Sequence, residues 1–122
     1  MKVRDLMHSG ENLPIVRPNM AMKDVVLTMS SKGFGIAIVQ DEDGRTRGVI
    51  TDGDMRRHID VLWESKAIDI VTHNPVAIEP DMLAREALAL MSARKISCLL
   101  VSDGKVGTSG LITIHDCLRA GV

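Results

Sequence analysis

Apolar and polar positions are laid down along this chain in a pattern that occurs twice. Met22, Val25, Val26 and Met29 recur at three- and four-residue intervals, the apolar stripe of a helix that Asn19 is placed to cap. Ala84, Ala87, Leu88 and Met91, preceded by Asp81, repeat the stripe. Each stripe is followed by a short, continuous apolar run, Ile36-Ala37-Ile38-Val39 and Cys98-Leu99-Leu100-Val101, which predicts a buried strand. Asp- and Gly-containing turns, Asp41 to Gly44 and Ser102 to Gly104, then lead into Gly48-Val49-Ile50 and Gly110-Leu111-Ile112, so a hairpin is expected in each half. Prolines hold Pro14-Ile15-Val16 and Pro75-Val76-Ala77-Ile78 out of helical geometry, as extended pieces ahead of the long helices. Short helices are expected near Asp54 to Ile59 and Asp116 to Ala120, and helical lead-ins at Val3 to Met7 and Ala67 to Val71.

The duplication is ungapped. Sliding Pro18 to Arg57 by 62 positions onto Pro80 to Arg119 gives twelve identities, among them Gly48/Gly110, Thr51/Thr113, Asp54/Asp116 and Arg57/Arg119. A unit repeated within one short chain does not close its own core and packs against its copy, so the shared polar positions are expected in or near one central cleft. The predicted fold is α/β (α+β), with two repeats at 1–62 and 63–122, each strand, helix, strand, strand, helix. The connector, about Asp60 to Lys66, is too short to separate independent domains, and Trp63 is expected to pack beneath it.

At 122 residues, the chain is long enough to bury an apolar interior. A formal charge of −1, with one Trp, one Phe and no Tyr, offers neither the basic surface nor the stacking platform of a nucleic-acid binder. No signal peptide opens the sequence and no apolar run approaches membrane-spanning length, so neither nucleic acid nor membrane is expected as a partner and the expected location is cytoplasmic. Cys98 and Cys117 fall in apolar structure and read as small buried hydrophobes. The four histidines lack ligand spacing, so no metal site is expected.

The candidate chemistry lies in Gly48-Val49-Ile50-Thr51-Asp52-Gly53-Asp54 and its copy Gly110-Leu111-Ile112-Thr113-Ile114-His115-Asp116. A strand ends at a threonine, and an aspartate follows three residues later in the first turn of a helix. That arrangement suits a nucleotide: the hydroxyl and the free amides can hold a phosphate, the carboxylate can accept from both ribose hydroxyls, and glycine lets backbone approach. Thr-x-x-Asp is equally a capping box that satisfies orphan amides and binds nothing. Arg56 and Arg57, with Arg119 matching Arg57, bring cations near a prospective phosphate, or else are solvated helix-surface charges. Gly33-Phe34-Gly35 and its image Lys95-Ile96-Ser97 could leave backbone open for a base, although a helix C-cap explains Gly33 too. An aspartate-based phosphatase loop is superficially similar to Asp52-Gly53-Asp54, but Met55-Arg56 follows where such loops continue into Gly-Thr, so catalysis is not expected.

The repeat order, the Pro-led helices and the Gly-x-x-Thr-x-x-Asp endings resemble a tandem pair of cystathionine β-synthase (CBS) domains, a Bateman module. More narrowly, Val3-Arg4-Asp5-Leu6-Met7-His8, Leu13-Pro14, Thr51 to Arg57 and the ending His115 to Val122 resemble the C-terminal CBS pair of bacterial arabinose 5-phosphate isomerases, which make the precursor of the lipopolysaccharide sugar Kdo. The resemblance implies two repeats related by pseudo-twofold symmetry, frequent pairing of modules into a homodimer, and a non-catalytic regulatory fragment of an enzyme whose chemistry is carried by a sugar isomerase (SIS) domain. It implies no required cofactor, and a regulatory ligand that is AMP, ATP or the nucleotide sugar CMP-Kdo. Carried over by motif, Asp54 and Asp116 would accept from ribose and Thr51 and Thr113 would lie near phosphate, accompanied by Asp52, Arg57, Thr72, Asn74, Pro75, Ser97 and His115. Because Asp52-Gly53 stands opposite Ile114-His115, two unequal sites are expected.

Overall fold

In a computed structural model, residues 1–104 and 107–122 are described. They form two compact units, residues 12–75 and a composite of residues 1–11 with 76–122. The units cut across the sequence boundary at 62/63, because each lead-in helix joins the body of the other repeat.

In the 12–75 unit, β1 (Ile15–Val16) is followed by α2 (Met22–Lys32), β2 (Ile36–Gln40), β3 (Thr46–Thr51) and α3 (Asp52–Arg57). A 3-10 helix over Ile59–Glu64, the lead-in α4 (Ala67–Ile70) and β4 (Thr72–His73) complete it. The sheet order is β1-β2-β3-β4, with β1 parallel to β2 and the other neighbours antiparallel. The composite unit begins with α1 (Val3–Leu6) and continues with β5 (Ala77–Ile78), α5 (Ala84–Arg94), β6 (Cys98–Val101), β7 (Gly110–Thr113) and α6 (Ile114–Arg119). Its sheet runs β5-β6-β7, again with a parallel first pair and an antiparallel hairpin.

The predicted stripes are the core. Met22, Val25 and Met29 of α2 are buried with Ala37, Val39 and Ile50, and Ala87 and Met91 of α5 with Leu99, Val101 and Ile112. Each lead-in is tied in the same way. Val3 and Arg4 amides donate to Met82 and Pro80 carbonyls, while Ala67 and Ile68 amides donate to Met20 and Pro18. The lead-ins therefore correspond at an offset of 64, two more than the bodies.

Three local expectations are corrected. Asn19 and Asp81 do not cap the long helices, which start after Ala21 and Leu83 without a side-chain cap. Asp81 instead receives Arg4 in a charge-assisted hydrogen bond. Trp63 is not packed under the connector: it is 65% exposed, and Leu62 takes the buried place at 4%. Finally, Thr72–His73 forms a strand that the apolar pattern does not predict.

Candidate functional site

Each Thr-x-x-Asp motif closes a strand and opens a six-residue helix. In the 12–75 unit, Thr51 stands just outside α3, and the Asp54 amide donates to its Oγ1 at 3.3 Å. Asp54 answers from the third helical position: its Oδ2 accepts from the Thr51 amide at 2.9 Å and from the Thr51 hydroxyl at 3.1 Å. Its Oδ1 accepts from Arg57 Nη2 and from Thr72 Oγ1, both at 2.6 Å. The composite unit repeats this, with Asp116 Oδ2 taking the Thr113 amide at 2.8 Å and hydroxyl at 3.0 Å. Asp116 Oδ1 takes Arg119 Nη2 and His8 Nε2, each at 2.8 Å. Both motifs are therefore capping boxes in fact.

The aspartates are nearly buried, at 3% and 6% exposure. Burial pushes both carboxyls up. For Asp54 the opposing bonds from Thr72, the Thr51 amide, Arg57 and the Thr51 hydroxyl win, and the group sits below its ordinary value. Asp116 is likewise held down, by the Thr113 amide, His8 and the Thr113 hydroxyl. An ionised carboxylate offers about four acceptor positions. The chain itself fills all four on each aspartate, so a ribose diol can bind only by displacement. The arginines are the partners easiest to move, since Arg57 and Arg119 side chains are 66% and 74% exposed.

Gly48 and Gly110 make room for the chain's own backbone. A Cβ on Gly48 would lie 2.1 Å from the Thr72 carbonyl oxygen, and one on Gly110 would lie 2.5 Å from Met7 Sδ and 3.0 Å from the His8 oxygen. The bare backbone at these two positions is what lets the following or preceding lead-in lie alongside and deliver Thr72 or His8 to the aspartate. Gly33 ends α2 in the left-handed conformation, and Lys95 ends α5 in the same one.

Of the residues assigned from sequence, Thr51, Asp54, Arg57 and Thr72 meet in one network and Thr113 and Asp116 in the other. Asp52 is exposed beside Gly35, with Oδ2 3.9 Å from where a Cβ on that glycine would lie. Asn74 is exposed with φ of 57°, and Pro75 is half-buried. Ser97 and His115 are exposed on the composite unit, where the Ser97 carbonyl accepts from the Ile114 amide that starts α6. None of these five joins the aspartate networks through a bond seen in the structure. His8 is the member that sequence reasoning missed. The lead-in offset of 64, which pairs His8 with Thr72, was the available signal.

The two sites differ chemically. Guanidinium groups of Arg57 and Arg56 both approach Gly53, which lies 3.3 and 3.9 Å from them at its would-be Cβ. In the composite unit the matching positions are Arg119, Leu118 and His115. Burial pushes the Cys98 thiol up to about 11 and raises that of Cys117, so neither is a thiolate at neutral pH. Elsewhere on the composite unit, a groove between β5 and α5 is lined by Ile78, Glu79, Met82, Glu86, Leu90 and Arg94 and contains none of the assigned residues. Among the described residues, no helix is long and apolar enough to cross a membrane, and no cluster of His, Cys, Asp and Glu could hold a metal ion.

Two β-α-β-β-α bodies, each closed by a lead-in and each with a Thr-x-x-Asp motif opening its last helix, define a tandem α/β domain pair. The CBS domain family matches residues 3–61 and 67–122, and the chain belongs to it. Arabinose 5-phosphate isomerase KdsD of Yersinia pestis and of Pseudomonas aeruginosa are each 38% identical to it over 125 aligned residues, and KdsD of Escherichia coli K12 is 34% identical. These alignments cover the whole chain but 38% of each relative, so the chain spans well under half of their length. Among solved structures, CBSX2 in complex with AMP superposes with a TM-score of 0.85 at 23% identity, over 98% of this chain and 95% of that one. The CBS domain pair of MJ0100, in complex with 5-methylthioadenosine and S-adenosyl-L-methionine, gives 0.85 at 20% identity, over 99% and 95%. At such identities the likeness speaks for the fold.

Proposed function

We propose that this CBS pair is a ligand-sensing regulatory module that binds a nucleotide or nucleotide sugar and modulates an attached arabinose 5-phosphate isomerase domain. The observation that carries the reading is the repeated constellation of a buried, ionised aspartate, a threonine at a helix start and an exposed arginine resting on the carboxylate. A ribose diol would take the position vacated by arginine and that of the threonine hydroxyl, and the freed guanidinium would turn to phosphate. The KdsD relatives support the attached isomerase, and an adenine nucleotide or CMP-Kdo is the proposed ligand. Ligand binding would act on the isomerase through its differing affinity for two arrangements of the module.

The test is calorimetry with AMP, ATP, CMP and CMP-Kdo on the wild type, Asp54→Ala and Asp116→Ala. Each substitution is expected to remove one binding event. Binding that survives both overturns the site.

One observation favours a second reading, a structural dimerisation module without ligand: every acceptor position on both aspartates is already satisfied within the chain. Exposed Leu27, Ile59 and Trp63 offer apolar surface for pairing of two copies. On that reading no nucleotide raises the melting temperature, which a thermal-shift screen checks.

A further inference from the structure

The third partner of the buried aspartate is a threonine in one unit and a histidine in the other. Both arrive by the same construction. Thr72 lies in β4 against β3, and His8 is bridged to Leu111 of β7 by two backbone hydrogen bonds of 2.8 and 3.0 Å. From these positions Thr72 Oγ1 and His8 Nε2 reach Oδ1 of Asp54 and Asp116. An ionised aspartate only accepts, so Nε2 carries the proton in that bond, and the imidazole makes it whether neutral or cationic. A threonine hydroxyl does not titrate in water, whereas histidine changes charge between pH 5 and 8.

We propose that His8 is a positioning residue of the Thr113–Asp116 site and makes ligand binding there proton-linked, while binding at the Thr51–Asp54 site is not. This rests on the nucleotide-binding reading above. In the unliganded unit, the Asp116 charge is shared between Arg119 and His8. The other groups of α6 near the pair are Cys117, which burial keeps as a neutral thiol, and exposed His115. Around the lead-in helix, Lys2 and Arg4 face Asp81, and Asp5 accepts from the Lys2 amide. β7 brings only the uncharged Thr113 to the carboxylate. When an anionic ligand draws Arg119 away, His8 is the cationic partner left to Asp116 among the described residues, and its protonated form is favoured. Binding then takes up a proton, and affinity rises as pH falls. At the other site Arg57 leaves behind Thr72, which holds the carboxylate without exchanging a proton, while the nearby rings of His58 and His73 donate to the backbone carbonyls of Asp54 and Arg47 rather than to the carboxylate.

The experiment is calorimetry with AMP between pH 6 and 8, in buffers of low and high ionisation enthalpy. The proteins are Asp54→Ala, which keeps the Thr113–Asp116 site, Asp116→Ala, which keeps the other, and the double variant Asp54→Ala/His8→Gln. Glutamine retains an N–H donor for Asp116 and cannot titrate. AMP titrates on its own near pH 6, equally for all three, so differences between proteins carry the answer. Asp54→Ala should take up more protons than the double variant and gain several-fold more affinity toward pH 6, with tenfold per pH unit as the limit for one proton. Asp116→Ala should match the double variant. In the wild-type protein, the His8 ring resonances should shift with AMP at pH 7, a readout independent of any substitution. Equal pH profiles for Asp54→Ala and the double variant overturn the inference and leave nucleotide binding intact, as does loss of all binding in Asp54→Ala. Absence of AMP binding in the wild type overturns both.

Discussion

At the scale of single residues, Asp54 and Asp116 join stability to pH in a direction that can be worked out. Each folded carboxyl sits below its ordinary value despite burial, because hydrogen bonds favour the anion. A depressed folded value means stability that is present above the unfolded carboxyl value of about 4 and lost as pH falls from there through the folded value. Asp54→Asn and Asp116→Asn should therefore lower stability at pH 7 and flatten the acid limb, read from urea midpoints between pH 7 and 2. An unchanged acid limb would place the pH dependence in other groups. Thr51→Ala and Thr113→Ala remove the reciprocal caps and should each cost about 0.5–2 kcal/mol. The two motif glycines should not behave alike. Gly48→Ala drives a methyl to 2.1 Å from rigid backbone oxygen of Thr72, whereas Gly110→Ala first meets the flexible end of Met7. We expect at least about 1–3 kcal/mol for the former and less for the latter, measured by equilibrium unfolding.

At the scale of elements, the long helices are legible in the sequence through their apolar period, and it is their starts that are misread, where Asn19 and Asp81 are expected to cap them. The stripes of α2 and α5 and the hairpins β2-β3 and β6-β7 fall where the pattern puts them. The starts are misread at Asn19 and Asp81 because a backbone contact does the work: Met22 and Ala84 amides donate to Ser65 and Met1 carbonyls, each just ahead of a lead-in helix. Those partners are distant in sequence, and local propensity has no sight of them. β4 was missed for the same reason, since two exposed residues acquire strand geometry only by pairing with β3. The C-terminal ends offer a test of purely local chemistry. Gly33 and Lys95 occupy the same left-handed position, with φ of 81° and 56°, which costs a residue bearing Cβ about 1–2 kcal/mol. Gly33→Ala should thus lower stability by about 1 kcal/mol, while Lys95→Gly should raise it by less, because the freer unfolded chain offsets part of the gain. Thermal denaturation of the pair should move the melting temperature in opposite directions.

At the scale of the whole molecule, the duplication proves to have two offsets, 62 for the bodies and 64 for the lead-ins, and each lead-in completes a unit other than the one its place in the sequence suggests. The lead-in at residues 1–11 does not belong to the repeat that follows it in sequence, because it is built into the unit of residues 76–122. Val3 is fully buried there with Met91 and Ile112, and His8 closes the Asp116 network. On the proposed reading, an isomerase domain joined ahead of Met1 would be linked directly to the Thr113–Asp116 site, and to the Thr51–Asp54 site only through the rest of the chain. Removing residues 1–8 should then split the behaviour of the two units. Amides of β6 and β7 should lose exchange protection, since the deletion withdraws the Val3 side chain, worth about 1.5–3 kcal/mol of burial, together with the His8–Leu111 pairing. Amides of β2 and β3 should keep theirs, and whatever nucleotide binding depends on Asp54 should persist. Equal loss of protection in both sheets would mean that the units fold as one cooperative body, and the lead-in would then stabilise the pair as a whole.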